Sequence, residues 1–119
     1  MGRNVSEFSL TAEVLGYEIS VRAVLTGGSI QVMISGGMRP HIGAVSIAGP
    51  DGQQDIEFPG HKDGVITRKW ADILKESGFC PVVVTAGIHY DNLSKEGINV
   101  VLNAADALLN ELLDSLKDV

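Results

Sequence analysis

Residues 6–14 (EFSLTAEVL) and 17–25 (YEISVRAVL) alternate apolar and polar side chains, and this period of two constrains the fold more than any other feature of the chain. Ile19, Val21, Ala23 and Leu25 share one face of the second run, while Glu18, Ser20 and Arg22 share the other. A ribbon with one apolar face must be covered, so the chain has to build a layered sheet rather than a helical bundle. Gly16 between the two runs predicts a hairpin. TGGS (26–29) is a second turn signal and IQVMIS (30–35) a third strand. AVSIA (44–48) and DIEF (55–58), separated by GPDGQQ, add a fourth and a fifth, and the series reads as an antiparallel meander.

Beyond residue 64 the period changes. Ile66, Trp70, Ile73, Leu74 and Ser77 recur at helical spacing, and Gly78 marks the stop. CPVVVTAGI (80–88) is a continuous β-branched run, suited to a strand inside the sheet and buried on both faces, with Pro81 at its start where a missing donor matters least. Ser94 is placed to cap a long C-terminal helix whose stripe includes Ile98, Val101, Leu102, Ala105, Leu108, Leu109, Leu112, Leu113 and Leu116. The reading is a single α+β domain over residues 1–119. A mainly antiparallel or mixed sheet of five to six strands is covered by two helices, with a strand-rich N-terminal half and a long C-terminal helix. The wide leucine stripe has surplus for a partner subunit, which points to a homo-oligomer such as a dimer.

Charge narrows the function. Fifteen acidic against nine basic residues give a net charge of -6, which opposes nucleic acid and anionic membrane surfaces as partners. A lone Cys80 and the lack of a leader-like or membrane-length apolar run make a cytoplasmic location the expectation.

The three histidines, His41, His61 and His89, all fall at breaks between elements, where sites concentrate. Arg39, Lys62, Arg68 and Lys69 border the first two of those breaks. Arg68 and Lys69 also begin a helix, where cations oppose the dipole, so this end suits a bound phosphate or carboxylate. Gly36 and Gly37 permit left-handed backbone or close approach of the backbone to a ligand. A small metal- or histidine-dependent hydrolase or lyase using His41, His61 and His89, with Asp63 or Asp91 in acid–base work, is the alternative. A passive structural subunit is a further one.

Three blocks, GGMRPHIGAV (36–45), FPGHKDGVIT (58–67) and TAGIHYDNLSKEGI (85–98), together resemble the prenylated-flavin chaperone family, the small subunit-D-like proteins that accompany gallate decarboxylase. The resemblance spans essentially the whole domain. It implies a non-catalytic carrier that binds prenylated flavin mononucleotide, or flavin mononucleotide, and loads or protects it for a partner decarboxylase, with a flavin prenyltransferase as a further partner. Family motif positions fall on Pro40, His41, Gly43, His61, Gly87, His89 and Lys95. With Gly37, Arg39, Lys62 and Arg68 from the charge and glycine patterns, these form the expected cofactor site, where the resemblance implies that Gly36 and Gly37 let the backbone approach a flat ligand and that Trp70 and Tyr90 are the nearest aromatics for stacking.

Overall fold

The computed structural model describes residues 5–60 and 62–117. Six strands, β1 (Val5–Val14), β2 (Tyr17–Thr26), β3 (Ser29–Gly37), β4 (Ala44–Gly49), β5 (Gly52–Glu57) and β6 (Val82–His89), form one mixed sheet. Two helices, α1 (Gly64–Glu76) and α2 (Lys95–Leu116), lie on one face of it. The architecture is the expected α+β class, with strands leading and a long helix closing the chain.

The β1–β2 hairpin and the β2–β3 pairing form as the alternation predicts, with Ile19, Val21, Ala23 and Leu25 all directed into the core. The meander does not continue. The strand order is β1-β2-β3-β6-β4-β5, so β6 is inserted between β3, to which it runs parallel, and β4, to which it runs antiparallel. The most apolar strand takes the central position, where both of its edges are paired and its backbone leaves water entirely. One consequence carries to the site: the chain leaving β3 must cross the C-terminal end of β6 to begin β4, and residues 38–43 make that crossing.

The core joins the inner side chains of the sheet to Ile66, Trp70, Ala71 and Leu74 of α1 and to Val101, Ala105, Leu108, Leu109, Leu112 and Leu116 of α2. The leucines expected to supply a surplus for a partner are thus largely used within the chain itself. Trp70 is fully buried and offers no face for ligand stacking, which corrects that expectation. A buried hydroxyl relay pins α1 to β4: Ser46 donates to Thr67 Oγ1 at 2.8 Å, and Thr67 donates to the Gly64 carbonyl at 3.3 Å. Both side chains therefore enter the core with their hydrogen bonds made.

Ser94 caps α2 as its position implies, its Oγ accepting the Gly97 N–H at 3.1 Å. Ser94→Ala leaves that donor without its cap, at a cost of about 1 kcal/mol. The expected result is a melting midpoint lower by about 4 °C in a thermal scan followed by circular dichroism.

Candidate functional site

Because β3 and β6 run parallel, their C-terminal ends meet at one pole of the sheet, with Gly37 opposite His89 in the register. The starts of α1 and α2 lie at the same pole. Residues 38–43 close over it, held by Met38 N–H to the His89 carbonyl at 2.6 Å and by Gly43 N–H to the Ala86 carbonyl at 2.8 Å. The glycines make this closure possible. A β-carbon at Gly37 would run into the His89 carbonyl oxygen, and one at Gly87 into that of His41. Gly37 also has a φ of 79°, the left-handed region that favours glycine. The close approach anticipated for a flat ligand is thus made, at these positions, by the protein's own backbone.

Two linked sets of side chains stand on this frame. His89 Nε2 donates to Asp91 Oδ1 at 2.8 Å, and Arg39 Nη2 donates to the same oxygen at 3.1 Å. Hydrogen bonding from His89, with the Arg39 charge added, holds the Asp91 carboxyl below its ordinary range. The lowered value fixes the sign: this tie supports the fold above the ordinary carboxylate range and is lost as the pH falls through the lowered pKa. In the second set, His41 Nδ1 donates to the Arg39 carbonyl at 2.9 Å, while its Nε2 lies 3.5 Å from Asp63 Oδ2. The His41 and His89 rings approach edge to face, with centroids 6.4 Å apart.

Asp63 occupies the cap position of α1, yet its carboxylate does not cap. It turns to β6 and accepts the Ile88 N–H at 3.1 Å. Glu57 takes over at the helix, its Oε2 accepting the Gly64 N–H at 2.9 Å. The anion expected at the start of α1 is therefore one the chain supplies, and the helix begins at Gly64, which places Arg68 and Lys69 in its second turn rather than at the end where cations oppose the dipole.

Beside these sets a cleft of about 290 Å³ opens between the starts of the helices. Its floor is Ile66, Ile88, Leu93, Ile98, Val101 and Leu102, and its rim is Gly60, Lys62, Asp63, His89 and Tyr90. Tyr90 is held in place, its hydroxyl donating to the Val14 carbonyl at 2.6 Å and its ring meeting Tyr17 edge-on. Burial raises its phenol pKa, keeping it a donor.

Of the residues expected from the sequence, Lys62 and His89 reach the cleft. Gly37 ends β3, Arg39, Pro40, His41 and Gly43 belong to the adjoining loop, and Gly87 lies near the end of β6. Lys95 begins α2 and is exposed. Arg68 and Lys69 lie apart, in a shallow depression on α1 with Gln53, Val65 and Asp72, and Lys69 is paired with Asp106 at 2.8 Å. His61 lies outside the described residues. Among the described residues, no three His, Cys, Asp or Glu side chains converge as a metal site requires. The structural role of Asp63 was not legible in the sequence, since only the fold reveals which donor its carboxylate meets.

A small apolar cleft rimmed by Lys62, Asp63, His89 and Tyr90, built where loops close over the end of a sheet, is the kind of concave, mostly apolar surface that small-ligand sites use. The prenylated flavin chaperone LpdD-like domain matches residues 13–117, and the chain belongs to that family. It is 26% identical over 117 residues to Protein LpdD of Lactiplantibacillus plantarum, an alignment covering 92% of this chain and 85% of that protein. Its fold is similar to a chain in the crystal structure of a novel chaperone complex for yeast 20S proteasome assembly, with a TM-score of 0.59, 20% identity and 98% of each chain covered. That likeness concerns the fold alone. No helix among the described residues is long and apolar enough to cross a membrane.

Proposed function

We propose that this domain is a cytoplasmic, non-catalytic carrier for prenylated flavin mononucleotide, which it holds for a partner decarboxylase after synthesis by a flavin prenyltransferase. The chaperone role follows from family membership. The observation that supports this cofactor is the pairing of an aliphatic floor with a Lys62 and His89 rim in one cleft. A modified flavin carries the matching parts: an apolar prenyl-derived ring, polar carbonyls and a phosphate. At about 290 Å³ the cleft lies at the small end of ligand sites, so it takes the apolar portion while the rest extends across the rim. Lys62, and His89 through its Nδ1 while its Nε2 is bound to Asp91, serve as donors to phosphate or carbonyl oxygen, and His41 and Arg39 hold the neighbouring loop. The bound group supplies its own chemistry to the decarboxylase. This chain's residues bind it, shield its apolar face from water and orient it.

A charge on the floor tests the reading. Leu102→Arg is expected to weaken binding of flavin mononucleotide, followed by quenching of its fluorescence, by about tenfold or more, because an unpaired cation would have to be buried against the ligand. Unchanged affinity in this variant would place any flavin elsewhere on the domain.

A further inference from the structure

The face of the sheet away from the helices is built in a way a solitary domain does not require. An antiparallel strand with one face in water places large apolar residues inward and polar ones outward. β4 does the reverse: Ala44, Ser46 and Ala48 face the helices, whereas Val45 and Ile47 face out. β5 sends Ile56 outward beside Val45, and β3 sends Met33. The register sets Met33, Thr85, Val45 and Ile56 side by side across four strands, with Val83 and Ile47 adjacent in the next row. Met33 and Ile56 are each 53% exposed. β6 itself reads as a strand buried on both faces, and this chain covers one of them.

We propose that a second copy of this chain covers the open face, two sheets packing as a sandwich with the helices outside. Two observations, charge and area, favour a copy of itself. In a chain of net charge -6, the open face from β3 to β5 carries no Asp, Glu, Lys or Arg, so it is where two acidic molecules approach without repulsion. The β1–β2 flank, where Arg22 lies 3.6 Å from Glu7 and where Glu13 and Glu18 share the outward face, forms the charged edge of the patch. At ~3.3 Å per residue and ~4.8 Å between strands, the uncharged face from β3 to β5 spans roughly 460 Å² and the full sheet roughly 750 Å². The latter is about a tenth of the 7037 Å² molecular surface, close to the ~800 Å² per partner of a standard stable interface.

This proposal stands independently of the cofactor reading, since the cleft lies on the opposite, helix-covered side. Sedimentation of the full chain at about 100 µM, where a micromolar dimer is largely formed, tests it. The wild type is expected at twice its 12.6 kDa mass. The Met33→Arg, Ile47→Arg pair is expected to raise the dimer Kd about 100-fold or more, with an unchanged circular dichroism spectrum. Gln31→Arg, a milder change in the same face, guards against misfolding and shifts the equilibrium the same way. Val100→Arg on the outer surface of α2 leaves the dimer intact. A wild type that is monomeric at this concentration overturns the proposal, as does a dimer indifferent to all three face substitutions. A monomer that captures the partner decarboxylase through this face also overturns it and assigns the surface to that enzyme.

Discussion

Gly87→Ala is expected to cost about 3 kcal/mol of folding stability, the upper part of the range for overpacked sites. The melting midpoint should fall by roughly 10 °C or more. Gly87 lies in extended backbone, so left-handed strain is not the reason. The obstacle is the His41 carbonyl oxygen, which occupies the place an added methyl would need. That carbonyl cannot move away cheaply, because Gly43 is bonded to Ala86 and Phe58 N–H donates to the Gly43 carbonyl at 2.9 Å. Either the 38–43 crossing lifts from β6, losing these bonds and the Arg39–Asp91–His89 tie, or the sheet deforms. Gly28→Ala is the control, since nothing lies within 4 Å of its added methyl and its midpoint should stay within about 2 °C. Thermal scans of the three proteins decide the matter, and a Gly87→Ala midpoint equal to the control would mean that the loop is not held as described.

The second large effect concerns the proposed cofactor. Lys62→Ala with His89→Ala removes both rim donors while leaving the aliphatic floor intact. Hydrogen bonds to charged groups contribute ~1.5–3 kcal/mol each, so the pair should weaken retention of prenylated flavin mononucleotide by about 100-fold or more. Lys62 is exposed and His89 partly so, and the variant should still fold. Dialysis of the loaded protein against buffer, followed by absorbance of what remains, measures the loss. Equal retention by variant and wild type would show that the rim does not grip the ligand.

Local signals in the sequence were reliable because their physics is local. The period of two in β1 and β2, the helical spacing of Trp70 and Leu74, and the Ser94 cap all concern neighbours in the chain, and each forms as read. The insertion of β6 between β3 and β4 was not legible, since pairing of segments some fifty residues apart leaves no mark in either segment's own pattern. The site suffered from the same gap. Arg39, His41 and His89 do come together at the 38–43 loop, whereas Arg68 and Lys69 were grouped with them because of sequence proximity and lie apart. A helix start carrying cations suggested an incoming anion, whereas Glu57, seven residues upstream of Gly64, already fills that place. The open sheet face was visible in outline, in the both-sides-apolar run of β6, although the surplus apolar surface was assigned to α2.

The central claim is that the domain carries a prenylated flavin, and native mass spectrometry tests it most directly. The protein is purified after co-expression with a flavin prenyltransferase, and its mass is compared with that of protein expressed alone. A mass increment equal to one prenylated flavin mononucleotide per chain, seen only after co-expression, is the result the account predicts. Protein of identical, ligand-free mass in both preparations would contradict it.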